Sequence, residues 1–462
     1  MAAARLPGAL QAGMMGATGQ FVPVVHGALP WIQAFRAWLV ALIKLLVWAA
    51  LFKAGAALAD EQDESALSLA DQTPTAAAHA SNWRTFVEGA YGGATLPDGN
   101  QEQQNHRSSF DLLYDKSLAA GWRAVFADRL DMNWPAQVSD QNSINTIKDA
   151  YLSWQEQANR IFDLGRINVH NGVAIGYNPT DYFRSGAVRS IVSVDPASLK
   201  ENRQGSVMLR GQTLWAGGSI TALYSPKLAD QASNDGFNPD WGATNHQNRW
   251  LVAVSQKFSA GISPEFLVYK ENDLPVQLGF NLTGLVSDSM VAYVEWSGGS
   301  SPSLLSQALS QLALPHTDDV AFRNRLSSGL TYTTANKMSL TAELEYGGGG
   351  LDQAGWDALA RGSPLIYEQY RNSLQIAQEA PTKRAVFFYG LWQDALINHL
   401  DLSALERIDA VDYSRMSWLE ARYHLDRAEF ALQWQRNSGQ RVSDFGAAPQ
   451  LQSWQVVLRY YF

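Results

Sequence analysis

The sequence predicts an antiparallel transmembrane β-barrel of about eighteen strands, sixteen being the alternative count. Short turns close one end and long loops the other. The first observation is the carboxyl end, where Trp454, Val456, Leu458, Tyr460 and Phe462 alternate with Ser453, Gln455, Val457, Arg459 and Tyr461. Strict alternation describes a strand with one apolar face, and a soluble terminal strand usually trails into polar residues instead of stopping on an aromatic one. The second is composition. Charged residues make up 17% of the 462, with 16 Trp, 17 Tyr and 18 Phe, against about a quarter charged in ordinary soluble proteins. Yet beyond residue 60 no run reaches the ~20 apolar residues of a membrane helix, so the apolar content is spread in alternation, with aromatics enough for two interfacial belts. The third is a ladder of alternating segments whose connections are short and long by turns. The last twelve residues alone would also suit the edge strand of a soluble sandwich; the other two observations favour the barrel.

At the amino end, residues 1–59 carry Arg5, Arg36, Lys44 and Lys53 and no acid. The apolar runs Trp38–Ile43 and Leu45–Phe52 precede Ala57-Leu-Ala59 and the acidic Asp60-Glu-Gln-Asp-Glu64. A basic flank, a short apolar core and a small-residue site fit a signal peptide and leader over 1–59; Lys44 and Lys53 leave runs too short for a permanent anchor. Residues 60–82 read as a flexible periplasmic tail, and 83–462 as one barrel. Without the leader the chain would hold 31 basic residues (35 − 4) and 44 acidic ones (44 − 0), net −13. A nucleic-acid partner, which needs a basic surplus, is not expected. With no Cys there is neither a disulfide nor a thiolate metal site.

Strands of about ten residues, the length that crosses a bilayer when tilted, are expected at 83–95, 108–117, 121–131, 148–158, 161–171, 205–215, 218–226, 247–258 and 261–271. The second half repeats them at 275–285, 289–297, 321–333, 336–346, 383–393, 397–408, 413–425, 427–437 and 450–462. Links after even strands are brief, such as Ser259-Ala260, Ser287-Asp288 and Thr334-Ala335. Links after odd strands are long, at 96–107, 132–147, 172–204, 227–246, 298–320, 347–382 and 438–449, with short ones only at the 9–10 and 15–16 connections. An even strand number with short periplasmic turns and long external loops is the bacterial pattern. Ser363-Pro364, followed by apolar residues at helical spacing, predicts a short helix in the loop 347–382.

The apolar set of each strand fixes its lipid face, so the opposite parity faces the lumen. That rule turns Arg84, Arg123, Arg166, Arg210, Arg249, Arg323, Arg325, Arg407, Arg422 and Arg459 inward, with Glu88, Asp111, Asp115, Glu295, Glu343, Glu345, Asp401 and Glu420. A charge on the lipid face would cost about 2–4 kcal/mol at the midplane. Two roles are open to the arginines: pairing with these acids in a static network, or a ladder that grips carboxylates in bidentate fashion and passes anions. The 33-residue connection 172–204, with Asn178-Pro-Thr-Asp181 and Arg184, is too long for a plain turn. It is expected to fold back into the lumen as a constriction, against the alternative of packing on the surface.

Trp454…Tyr460-Tyr-Phe462, the leader and the eighteen-segment ladder together resemble Gram-negative outer-membrane porins. Gly165-Arg166, Asn178-Pro-Thr-Asp181 and the interior arginines are loosely similar to the alginate-exporter type of eighteen-stranded porin. The resemblance implies outer-membrane lipid as surroundings and recognition of Phe462 by the barrel-assembly machinery. It also implies passive diffusion of a small anionic solute or anionic polysaccharide, with Arg166, Arg210, Arg323, Arg325 and Arg422 as lumen contacts; parity adds Arg459.

No catalytic role is expected. His79, His106, His170, His246, His316, His399 and His424 form no His-Glu-x-x-His and sit beside no Gly-x-Ser-x-Gly elbow. No cofactor or metal is implied, since no Asp-x-Asp-x-Asp-Gly spacing occurs. A transporter of lipid or another hydrophobic substrate is the competing reading; its cue, the inward Leu223, Leu251, Leu267 and Val291, is scattered along the chain. A purely structural barrel is the other.

Overall fold

The computed structural model describes residues 82–462 apart from 98–101, 137–140, 234, 236, 260, 273, 313 and 315–318. The expected leader, 1–59, and the expected tail, 60–82 save Asn82, lie outside the described residues. The first nine strands are β1 (Trp83–Thr95), β2 (Glu102–Ala119), β3 (Trp122–Trp134), β4 (Ser143–Gln157), β5 (Arg160–Ile167), β6 (Ser206–Trp215), β7 (Gly218–Ser225), β8 (Arg249–Gln256) and β9 (Ile262–Glu271). The others are β10 (Gln277–Ser287), β11 (Met290–Ser301), β12 (Ala321–Thr333), β13 (Met338–Gly347), β14 (Arg384–Trp392), β15 (Leu400–Asp409), β16 (Arg415–His424), β17 (Ala428–Ser438) and β18 (Gln452–Tyr461). Each pairs antiparallel with its chain neighbours, and β1 closes on β18 from Phe86↔Tyr461 to Thr95↔Gln452. Closure leaves no unpaired edge, the condition for strands to cross lipid.

Why these residues form this barrel is legible on β18. Trp454, Leu458 and Tyr460 stand 42%, 56% and 42% exposed, while Val457 between them is buried. The same outward apolar row recurs with Val87 and Tyr91 on β1, Leu152 and Trp154 on β4, Phe266 and Val268 on β9, and Phe430 and Leu432 on β17. An apolar band of this extent is foreign to a water-soluble surface; it is the lipid face of a membrane barrel. Aromatic pairs mark both rims: Trp83–Tyr114 and Trp122–Trp154 near the short turns, Tyr91–Trp454 and Tyr224–Trp250 near the long loops. The chain end lies at the short-turn rim, where Phe462 donates its amide to the Thr85 carbonyl (3.1 Å). Short turns mark the periplasmic end.

Two external loops are shorter than expected, because β2 begins at Glu102 and β4 at Ser143. On β4 the cause is a bulge. Its pairing with β3 skips Lys148, between Asp149 opposite Ala127 and Ile147 opposite Asp128. An extra residue reverses which parity faces inward: Ile144, Thr146 and Lys148 are buried, whereas Leu152 and Trp154 face lipid. The alternation read from sequence broke at 148, where the phase changes. On β2 the extension Glu102-Gln-Gln-Asn-His-Arg107 is polar on both faces and so carries no alternation.

Helices occupy the long-loop side: α1 (Pro196–Glu201), α2 (Trp241–Thr244), α3 (Leu304–Gln311), α4 (Gln353–Arg361) and α5 (Pro364–Ala377). The helix expected after Ser363-Pro364 is α5, and α4 precedes it. Trp356, Leu359, Tyr370 and Leu374 of α4 and α5 pack with Ala308 of α3 into a small apolar core on the long-loop side.

Candidate functional site

The site is the inner wall together with the loop 168–205 between β5 and β6. This loop lies inside the barrel, because its backbone bonds to inward residues of many strands. Gly172 turns it at φ +100°. The Glu295 carboxylate on β11 then accepts the amides of Val173 (2.8 Å), Ala174 (3.0 Å) and Thr180 (2.8 Å), with the Thr180 hydroxyl at 2.9 Å. On β13 the Glu343 carboxylate accepts the amides of Ile175 (2.5 Å) and Gly176 (2.9 Å), and the Tyr293 hydroxyl donates to it. Farther on, Arg107 of β2 and Gln455 of β18 both donate to the Val192 carbonyl (3.1 Å each), and the Tyr389 hydroxyl of β14 donates to Asp195 (2.9 Å). Helix α1 brings Glu201 to Arg84 of β1 (3.2 Å). The loop therefore crosses the lumen.

A second junction joins this loop to the external helices. The carboxylate of Glu379, just after α5, accepts from the Tyr177 hydroxyl (2.7 Å), Arg184 (2.5 Å) and Arg325 of β12 (3.1 Å). Burial alone would raise the Glu379 carboxyl; Arg184 and Arg325 outweigh it and hold the group below the usual carboxylate range. Arg203 pairs with Asp181.

The residues singled out from sequence are placed as follows. Asn178, Asp181 and Arg184 are all buried within the inward loop. Arg184 Nη1 donates to the Asn178 carbonyl (2.6 Å), and Asn178 Nδ2 to the Ala174 carbonyl (2.6 Å), so this segment is braced internally. Arg166, expected as a lumen contact, is 2% exposed. Its guanidinium donates to the Pro239 carbonyl (2.7 Å) and lies over the Trp241 ring at 4.8 Å. Residues 239–245 of the fourth external loop also fold inward and cover it. Arg323 sits at the loop end of β12, donating to the carbonyls of Ser301 (3.0 Å), Gly348 (3.3 Å) and Asp319 (2.9 Å). It ties loops together. Both arginines are held by loop backbone, since parity fixes the face of a side chain but not what a loop lays over it.

Arg210, Arg325, Arg422 and Arg459 do reach the inner surface, and Arg407 joins them. Each is paired: Arg210 with Asp163 (2.8 Å), Arg325 with Glu379, Arg407 with Glu345 (2.6 Å), Arg422 with Glu420 (2.9 Å) and Glu429 (2.8 Å), and Arg459 with Glu88 (2.8 Å). In each of these five the acid is the less exposed partner. The five guanidinium side chains are 19% to 26% exposed and their carboxylate partners 2% to 12%. At these five positions the charge presented to the lumen is that of the guanidinium more than that of its acid. Around the same cluster, His424 Nε2 lies 3.2 Å from Asp401 and its Nδ1 3.4 Å from Glu429, a polar histidine with partners on both sides.

The inward leucines that sequence left scattered are gathered by the barrel. Leu223, Leu251 and Leu267 pack with Ile167, Met208, Tyr182, Phe183 and Tyr269, the Tyr182 and Tyr269 rings stacked at 4.3 Å. They seat the inward loop rather than line a greasy path. Glu379 escaped the sequence reading altogether, because it is brought to the wall by helix packing that no local pattern encodes.

No protein-family model matches this chain, and no curated protein matches it. Solved structures do. Acinetobacter baumannii OccAB1 has TM-score 0.53 at 9% identity, covering 85% of this chain and 99% of its own. Pseudomonas aeruginosa OccK2 (OpdF) in complex with glucuronate has TM-score 0.53 at 10% identity, covering 82% and 97%. Pseudomonas aeruginosa OpdL has TM-score 0.51 at 11% identity, covering 83% and 99%. These neighbours are outer-membrane porins with eighteen-strand barrels. The likeness is one of fold, and it does not single out the alginate-exporter type.

Proposed function

We propose that the protein is an outer-membrane channel for passive diffusion of polar, anionic solutes. The observation that carries this is the exposure asymmetry of the five lumen ion pairs, in which the arginine side chain is the more exposed partner every time. A carboxylate entering the lumen meets planar bidentate donors. The acid partners keep each site weak, and weak sites in series are what conduction requires. The fold supports the same reading: a closed barrel with a lipid-facing exterior, a charged interior and a loop across the opening. The glucuronate held by one neighbour of this fold is a sugar carboxylate, which makes small carboxylates and uronates the first solutes to try. An anionic polysaccharide, as the alginate-exporter resemblance suggests, extends the same chemistry to a longer substrate. Export and assembly would engage outer-membrane lipid through the apolar belt. The assembly machinery would engage Phe462, which is 74% exposed beside Tyr460. A lipid transporter loses its cue, since the inward leucines are used in packing the loop.

The test is single-channel recording of the refolded protein under a salt gradient. Anion-selective reversal is expected, with small carboxylates reducing the current as they occupy the arginine surface. A cation-selective reversal sinks the proposal. An absence of conductance turns attention to the structural barrel.

A further inference from the structure

The wall acids Glu295 and Glu343 differ from the rest of the inner carboxylates. Asp149 receives a single amide of the inward loop, from Asn168 (2.9 Å), whereas these two are almost wholly buried and receive two or three each. Five backbone N–H groups from Val173, Ala174, Ile175, Gly176 and Thr180 converge on them. Each donor is a buried main-chain group that would otherwise want a partner. Each acceptor is a buried charge that would otherwise be very costly.

The local sequence is fitted to this approach. A Cβ on Gly172 would lie 2.5 Å from both Glu295 carboxylate oxygens, besides the strain of φ +100°. A Cβ on Gly176 would lie 2.6 Å from the Phe387 ring and 2.8 Å from Glu345 Oε1. Only glycine lets the backbone come this near the wall at either position.

We infer that Glu295 and Glu343 are positioning residues that set the aperture by pinning residues 173–180 to the wall. This rests on the channel reading above. The two acids act on a passing solute only through the loop, because their own oxygens are filled by amides. A Gln at either position keeps the volume but replaces one acceptor oxygen with an NH2 group, a donor facing donors. The loop must then move away from that stretch of wall.

The chain has no Cys, so one thiol introduced by Ala174→Cys, at a site 1% exposed, reports loop release without reference to conduction. In the refolded protein carrying that thiol, Glu295→Gln together with Glu343→Gln is expected to speed labelling by a water-soluble maleimide at least about tenfold, the change that ~1.4 kcal/mol of lost holding energy produces. The same variant is expected to change unitary conductance and weaken anion preference, while the barrel keeps its resistance to unfolding by detergent on unheated gels. Gly172→Ala, which crowds the contact from the loop side, is expected to act in the same direction and serves should the double variant fail to fold. Unchanged labelling in a folded variant overturns the inference. A wild-type protein that does not conduct overturns the channel reading instead, and the labelling ratio still decides whether these acids pin the loop.

Discussion

Arg166 and Arg210 are both inward arginines at the same level of sequence evidence, yet one is sealed beneath Trp241 and Pro239 and the other shows a quarter of its side chain. Alternation assigns a face because a lipid-side charge costs kilocalories. Depth within that face depends on which loop falls on it, and that is a tertiary fact. Inward acids and arginines were thus readable from parity, while their partners required register: Arg210 finds Asp163 because they stand opposite each other across β5 and β6. Arg210 also separates charge from architecture. Removing it alone would strand the buried Asp163, the costly way to break a buried pair. Arg210→Gln with Asp163→Asn removes both charges and keeps a hydrogen-bonded pair. Its reversal potential should move toward zero, while Arg210→Lys, which keeps an exposed cation, should stay near wild type. Equal behaviour of the two would show that the exposed charge does not govern selectivity.

At the scale of elements, the strands were legible because lipid imposes a two-residue period on everything it touches. The period fails where lipid stops: at the polar start of β2 and at the β4 bulge around Lys148, whose Nζ the bulge delivers to Asp111 (2.6 Å). The external loops obey no such period, so their helices and mutual packing were visible only at Ser363-Pro364. One consequence of that packing is a pH dependence outside the membrane. Asp444, in the loop 439–451, has its amide on Asp412 Oδ2 (2.6 Å) and its carboxylate 3.5 Å from Arg371 of α5. Burial pushes its carboxyl up to about 7, the neighbouring acids Asp409 and Asp412 adding to the shift and Arg371 and Arg407 opposing it. A carboxyl with a raised folded-state pKa favours the packed loop fully only at acid pH, below its unfolded value of about 3.9. That contribution is lost as pH rises through about 7. Hydrogen exchange across 439–451 should be faster at pH 8.5 than at pH 5.5 beyond the intrinsic rate change, and Asp444→Asn should flatten this difference. A difference that survives in the Asn variant would assign it to another group.

For the whole molecule, the sign of the lumen surface matters more than the sum of its charges. The chain as a whole carries a net charge of −9, which by itself would favour cations. The proposed anion preference therefore rests on geometry: in each of the five pairs the arginine side chain is the more exposed partner. A surface of this kind acts on a passing ion partly through a field summed over several guanidiniums and partly through direct contact. Salt separates the two contributions. The screening length is ~10 Å at 0.1 M and ~3 Å at 1 M, so in dilute salt an anion feels several of the five arginines together, and in concentrated salt only one that it touches. If the collective field dominates, the anion-to-cation permeability ratio should be largest at 0.1 M and fall steeply toward 1 M. If direct bidentate contact dominates, the ratio should persist at 1 M and depend on the anion, with carboxylates favoured over chloride. The partial exposure of the guanidiniums and their existing acid partners argue for the first behaviour with inorganic ions. A ratio below one at every salt concentration would mean that the buried carboxylates, despite their lower exposure, control the pore.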